Sequence, residues 1–377
     1  MAFRTRQGAE GPSVLLDMRP LQGPSGSRGV GSYARGLLGG LIETGFDANL
    51  TLLLDAALDE PKLPAGGYRL AGCRRRYHGQ LAAYEEAVAL GADLRRIRPD
   101  VYHAIDFRLP GRSPCPLVVT LHDLIPWSWG GSRMRGERLR YWIGKRLLPR
   151  ADLVLAVSES TARDAVRFGR VDSGRVRVVL EAAGPDYAPR PGAGQTVRAR
   201  WGLEPGYLLF VGALDARKDP AALLTALEAA RVKRPGLELV IAGDPGPQAP
   251  RSMPGARLMG RISESELADL YTAAGCFVFP SRYEGFGLPC LEAMACGCPV
   301  AAYRNSSVQE VVDGAGLLVA DGDARALGRA AADMAAEPDR WRRAGLVRAR
   351  SFSWRAAATQ TIAGYESVWR TEIIASP

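Results

Sequence analysis

Residues 281–300 read Ser-Arg-Tyr-Glu-Gly-Phe-Gly-Leu-Pro-Cys-Leu-Glu-Ala-Met-Ala-Cys-Gly-Cys-Pro-Val. The apolar run Cys276–Phe279 before them reads as a buried strand, and Gly285 and Gly287 bracket the loop that follows. Pro289 suits the first position of a helix, where a missing N–H leaves no bond unmade. The N–H groups of Phe286, Gly287 and Leu288 then point out of a helix N-terminus, which is a ready anion site. Glu284 stands in the loop and Glu292 in the first turn, eight residues on, so both carboxylates can address one ligand from its two ends. Carboxylates accept hydrogen bonds from hydroxyl pairs, as a sugar and a ribose present them. A tight turn with Glu292 on the helix dipole fits the same residues.

Outward from this segment, short apolar runs alternate with helical patterns, which predicts βαβ units and parallel sheets. The runs are Ser13–Asp17, Ala48–Leu54, Val101–Ile105, Leu117–Leu121 and Leu153–Val157, then Tyr207–Val211, Leu237–Ala242, Cys276–Phe279, Pro299–Ala302 and Gly316–Val319. Between the two series, residues 184–206 are rich in Gly and Pro. The expected organisation is an N-terminal Rossmann-like domain over 1–186, a linker over 187–206 and a second Rossmann-like domain over 207–353. A last helix over 354–377 is expected to return to the first domain. Two doubly wound α/β domains facing across a cleft place the ligand at strand carboxyl ends.

Composition agrees. The 377 residues suit about two domains at roughly 150 each, and 47% apolar with 24% charged residues excludes a disordered chain. No uncharged apolar stretch approaches the ~18 residues of a spanning helix, and the polar N-terminus lacks an apolar signal core, so a cytoplasmic protein is expected. The six cysteines form no paired C-x-x-C motif beside histidine, and no metal site is expected. Residues 1–190 hold 28 Lys/Arg against 20 Asp/Glu, whereas residues 191–377 hold 21 against 20. The basic half points to an anionic partner, a phosphate-bearing substrate or a membrane surface. No nucleic-acid-binding signature accompanies it.

Other segments carry candidate chemistry. Residues 207–220 read as a strand, a loop and a helix capped by Asp219 with Pro220 at its first position. Arg217 and Lys218 lie just before that N-terminus, where the dipole disfavours cations unless an anion is bound. Gly29 and Gly31 follow the first strand and its Asp17-Met-Arg-Pro, where glycine lets backbone approach a phosphate. His122 and Asp123 close the strand Leu117–Leu121, and His103 lies in the run before it; a structural histidine fits either place. His78 reads as surface. Asp321-Gly-Asp323 reads as a helix-capping turn rather than a metal site. The stretch Arg133–Arg150 interleaves arginine with Leu139, Tyr141, Trp142 and Ile143, as an interfacial helix or a helix with a solvated basic face would.

E-G-F-G-L-P-x-L-E-A-M-A-x-G-x-P-V resembles the donor-binding signature of retaining family 4 glycosyltransferases, which have the GT-B fold. The resemblance implies a metal-independent transfer from a nucleotide-diphosphate sugar, with no cofactor. It implies that Glu284 meets the donor sugar and Glu292 the ribose, with Phe286, Gly287 and Leu288 on donor hydroxyls and phosphate. It further implies that Arg217 and Lys218 hold the diphosphate, that Arg261 and Ile262 pack the base, and that Gly212, Gly29 and Gly31 line the donor. His122 is then the contact to the reacting sugar, with His103 and Asp123 on the acceptor side. The D-x-R-P-L and R-G-V-G-x-Y segments look most like bacterial enzymes that add mannose-type sugars to polysaccharides or lipid-linked glycans. The expected acceptor is therefore a glycan or lipid-linked glycan, with peripheral anionic membrane contact through Arg133–Arg150 and Arg74-Arg75-Arg76. Two other readings fit part of the pattern: a GT-B-fold epimerase or sugar synthase/phosphorylase, and a two-domain sugar-binding protein.

Overall fold

The computed structural model describes residues 11–23, 26, 29–75, 80–129, 134–244 and 253–375. The chain divides into two compact units, 1–181 with 354–377, and 182–353. His78, Arg76 and Arg133 lie outside the described residues.

Unit 1 is built on a seven-stranded parallel sheet in the order β3-β2-β1-β4-β5-β6-β7. Its strands are β1 (Val14–Asp17), β2 (Leu50–Asp55), β3 (Arg69–Cys73), β4 (Val101–Ala104), β5 (Leu117–Leu121), β6 (Leu153–Ala156) and β7 (Val176–Val178). β1, β4, β5 and β6 are buried at every position, as parallel strands covered on both faces must be. Leu16 pairs with Leu52 on one side and His103 on the other, so β1 and β4 flank the point where strand order reverses.

The last helix, Trp354–Ala375, completes this unit. It packs on the helix Gly29–Glu43 at two glycines where nothing larger fits. A Cβ on Gly36 would lie 2.0 Å from the Trp354 ring, and one on Gly40 2.2 Å from the Trp354 carbonyl oxygen. Tyr365 on the same helix meets His103 Nδ1 at 2.6 Å, His103 Nε2 meets Thr120 Oγ1 at 2.8 Å, and Thr120 Oγ1 meets Tyr33 Oη at 2.9 Å. This ladder ties four elements together through the core: the last helix, β4, β5 and the helix Gly29–Glu43.

A charge network sits under the end of β1. Arg19 bonds Asp17 through Nε and Nη2 and Glu86 through Nη1, while Tyr102 Oη donates to Asp17 Oδ2 at 2.9 Å. Arg75 continues it to Glu86 and Asp93. Burial opposes charge on Asp17, yet the Arg19 guanidinium holds its carboxyl below the usual range. The helix Gln80–Ile97 is thereby locked to the end of β1.

Unit 2 holds a six-stranded parallel sheet in the order β10-β9-β8-β11-β12-β13. These are β8 (Leu208–Val211), β9 (Leu239–Ala242), β10 (Ala256–Gly260), β11 (Cys276–Phe279), β12 (Val300–Tyr303) and β13 (Leu317–Val319). The segment expected to be a bare linker contains the helix Ala193–Trp201, which packs on the helix Glu264–Ala273 and belongs to this unit. The buried apolar face of Ala193 and Val197 is the reason. β8 and β11 are neighbours here, as β1 and β4 are in unit 1. Loops leaving β8 and β11 therefore converge at the crevice of this sheet.

His103 offers a test of the core ladder. Burial lowers its pKa to about 3, so between about 6.5 and 3 the unfolded chain binds a proton that the folded chain refuses. Stability should fall with falling pH across that window, by up to about 1.4 kcal/mol per unit from this group. Urea unfolding of the wild type and His103→Gln at pH 7 and pH 4.5 should show the shallower loss in the variant. Equal losses would contradict the assignment.

Candidate active site

The loop after β8 carries Asp215, whose carboxylate accepts from the N–H groups of Arg217 and Lys218 and turns both side chains over the sheet end. Asp219 follows with φ +48°, a left-handed conformation that Asp tolerates, and caps the helix Pro220–Lys233 at Ala222 N. The loop after β11 brings Glu284 to the same place. Its Oε1 lies 2.5 Å from Lys218 Nζ, 2.7 Å from Arg217 Nη1 and 2.5 Å from Ser281 Oγ. Arg217 also donates to the Tyr283 carbonyl at 2.8 Å, and the Lys218 ammonium stands 4.5 Å from the centre of the Phe279 ring.

Electrostatics follow from this packing. Burial raises the Glu284 carboxyl, but Arg217 and Lys218 outweigh it and hold the group at about 2. Burial lowers the Lys218 ammonium, Glu284 opposes that, and Arg217 adds to the lowering. Two cations thus share one carboxylate at a strand switch point, with the Asp215 carboxylate 3.8 Å from Arg217 Nη2.

Backbone geometry around the cluster is set by glycines. Gly212 (φ +147°) and Gly243 (φ +137°) end β8 and β9, and a Cβ on Gly243 would lie 2.3 Å from the Gly212 carbonyl oxygen. Gly287 (φ +103°) caps the helix Leu288–Ala295, with Pro289 one position later than expected. Phe286 is buried, and Leu288 opens the helix. Glu292 is buried in that helix and accepts from Tyr271 Oη at 3.3 Å. Arg261 is exposed and paired with Asp244 at 3.1 Å, with half-buried Ile262 beside it. Glu284, Arg217, Lys218 and Ser281 therefore form one cluster, with Glu292 reached from the loop's other end.

The unit 1 residues behave differently. Gly29 and Gly31 lie in the first turn of the helix Gly29–Glu43 rather than in a loop, and a Cβ on Gly31 would strike the Gly26 carbonyl oxygen at 2.1 Å. Close packing of that carbonyl accounts for the glycine. His103, expected on the acceptor side, is a fully buried core residue with both ring nitrogens bonded. His122 Nε2 lies 3.0 Å from the Ile105 carbonyl oxygen and Nδ1 3.3 Å from Glu181. Asp123 accepts from Ile125 N at the start of a short helix. Arg75, expected as a surface cation, is spent on Glu86 and Asp93. Asp323 caps Ala326 N and Asp321 accepts from Asn305; among the described residues, no three His, Cys, Asp or Glu side chains gather as a metal requires.

Sequence reasoning missed the residues that hold Glu284 in place. Ser306, at φ +35°, accepts from Glu284 N, and Ser307 donates to the Glu284 carbonyl. Asn305 donates to the Ser281 carbonyl. The Asn-Ser-Ser run after β12 was the available signal, since such residues favour backbone-bonding turns. Tyr271 and Gly243 had no comparable mark.

Residues 27–181 match Glycosyltransferase Family 4 and residues 205–337 match Glycosyl transferases group 1. The chain is 32% identical to O-antigen chain mannosyltransferase B of Escherichia coli over 295 residues, which are 72% of this chain and 76% of that protein. It is 24% identical to serotype-specific mannosyltransferase WbdA of Escherichia coli over 79% of its own length and 41% of WbdA. Among solved structures, sucrose-phosphate synthase from Thermosynechococcus elongatus aligns with a TM-score of 0.75 at 23% identity, over 96% of this chain and 99% of that one. HepE from Anabaena, solved with UDP-glucose, aligns with a TM-score of 0.67 at 16% identity, over 97% of this chain and 100% of that one.

Removing Glu284 leaves the buried Lys218 ammonium beside the half-buried Arg217 guanidinium without their shared carboxylate. Glu284→Ala should destabilise the chain by about 3 kcal/mol or more, and adding Lys218→Met to it should restore part of that loss. Chemical denaturation of the single and double variants measures both. A double variant no more stable than the single one would contradict the shared-carboxylate geometry.

Proposed function

The chain belongs to the family 4 glycosyltransferases, and from that premise we propose a retaining, metal-independent enzyme that moves a hexose, mannose favoured, from a nucleotide-diphosphate sugar to a glycan or lipid-linked hydroxyl. The observation that carries the donor assignment is the convergence of Arg217 and Lys218 on Glu284 at the ends of β8 and β11. A departing diphosphate acquires charge in the transition state, and two preformed cations there stabilise it without reorganising water. Lys218 and Arg217 turn from Glu284 to the diphosphate, Glu284 is released to accept from donor-sugar hydroxyls, and Glu292 accepts from the ribose. Attack on the same face as departure lets the leaving phosphate take the acceptor proton. The mannosyltransferase relatives favour mannose, and the UDP-glucose held by HepE supports a nucleotide-sugar donor for this fold. An epimerase or phosphorylase of the same fold would turn over without a glycan acceptor.

Kinetics with the cognate donor separate these roles. Lys218→Ala should lower kcat by about 100-fold or more with a smaller change in KM. Glu292→Ala should chiefly weaken donor binding, and EDTA should leave the rate unchanged. Wild-type kinetics in both variants would place the donor elsewhere, and a strict divalent-cation requirement would overturn metal independence.

The acceptor proposal is a lipid-linked glycan met at an anionic membrane face. No described helix is long and apolar enough to cross a membrane. The helix Arg135–Leu147 leaves Leu139 63% and Trp142 51% exposed, and Arg135 and Arg146 lie on the same face by helical spacing. An exposed apolar pair between cations suits an interface in which each basic group contributes about 1 kcal/mol. Co-sedimentation with anionic vesicles should decline as salt rises, and Leu139→Glu with Trp142→Glu should abolish it. Equal binding to neutral vesicles, or none at low salt, would contradict it.

A further inference from the structure

His122 is half-buried, its side chain 17% exposed, and both of its ring nitrogens have partners. A carbonyl oxygen offers only lone pairs, so Nε2, 3.0 Å from Ile105 O, must carry a hydrogen. A neutral ring would then turn the Nδ1 lone pair onto the Glu181 carboxylate 3.3 Å away; a protonated ring presents an N–H instead. Tyr33 packs against the ring in a T-shaped contact, with centroids 4.8 Å apart and planes at 88°, and Thr161 Oγ1 donates to the His122 carbonyl. Glu181 is itself buried and is the last residue of unit 1 before the chain passes to Ala182. We propose that Glu181 is a positioning residue that keeps His122 as an imidazolium with both N–H groups committed, so that His122 serves transfer as a fixed positive charge and not as a proton carrier.

The other groups around the ring support this assignment. Burial lowers the pKa of His122, but the Glu181 bond and charge, then Asp123 and the Ile105 carbonyl, together raise it above the usual histidine value. His103 on β4 stays neutral and adds no competing charge near neutral pH. A histidine that is already protonated cannot accept the acceptor's proton. As the acceptor oxygen bonds the anomeric carbon and the carbon–phosphate-oxygen bond breaks, that proton passes to the departing phosphate in the proposed reaction rather than to His122. The catalytic half rests on the reading of His122 as a contact to the reacting sugar; the charge half does not.

Imidazole nitrogen NMR on the full chain tests both halves, because the chain has only three histidines and His103 should not titrate near neutrality. His122, identified by loss of its signal in His122→Asn, should be doubly protonated at pH 6.5 with a midpoint above that value. Glu181→Gln should lower the midpoint by about one pH unit, a tenfold loss of proton affinity. Glu181→Asp should restore part of it. The high-pH limb of kcat should move down with the midpoint while donor KM changes little. A neutral His122 in the wild type, or a midpoint unmoved in Glu181→Gln, overturns the proposal. A shifted midpoint with an unmoved kcat profile overturns only the part played by His122 in transfer.

Discussion

The geometry of unit 2 depends on one carboxylate, Glu284, buried where the loops of β8 and β11 meet and shared by Lys218 and Arg217. An ammonium and a guanidinium so close together at a partly desolvated strand end repel one another and call for an anion between them. Glu284 supplies that anion within the chain itself. Its backbone is in turn fixed from β12 by Ser306 and Ser307, and its side chain by Ser281. Three strands thereby set the position of one oxygen atom. The cations are held together at the strand ends, the preformed arrangement that the proposed diphosphate site calls for.

Unit 1 solves a related problem with different chemistry. Its buried polar groups are satisfied in pairs: Asp17 with Arg19, Glu86 with Arg75, His103 with Tyr365 and Thr120, and His122 with Glu181. The Asp17–Arg19 pair is local, whereas the histidine pairings join segments distant in sequence, and the longest joins β4 to the last helix. The helix Trp354–Ala375 therefore belongs to the core of this unit, although the whole of unit 2 separates it in the chain from the sheet it packs beside. A close-packed seam at Gly36 and Gly40 fixes its register.

Much of this could be read from residues. Buried parallel strands give continuous apolar runs, so β1, β2, β4, β5 and β6 in unit 1 and β8, β9, β11, β12 and β13 in unit 2 were visible. β3, β7 and β10 were not: they lie at sheet edges or carry Arg69, Arg177 and Arg257, and their partly exposed positions break the apolar signal. The helix Ala193–Trp201 hid in a Gly- and Pro-rich segment because its apolar face is only two residues wide. The Glu284–Glu292 loop was legible because its chemistry is local in sequence. Arg217 and Lys218 were legible from a dipole argument. Glu181, Tyr271 and Ser306 were not, since each acts on a residue brought near only by the fold. His103 misled for the opposite reason: a histidine inside an apolar run resembles a ligand until its two hydrogen-bond partners are seen.

The central claim is that Arg217 and Lys218 form a diphosphate site. Calorimetric titration of the chain with the cognate nucleoside diphosphate and with the bare nucleoside tests it most directly. The account predicts that the diphosphate binds at least about 100-fold more tightly, a difference of about 2.7 kcal/mol, and that Arg217→Ala with Lys218→Ala removes most of that difference. Equal affinity for nucleoside and nucleoside diphosphate in the wild type would contradict it.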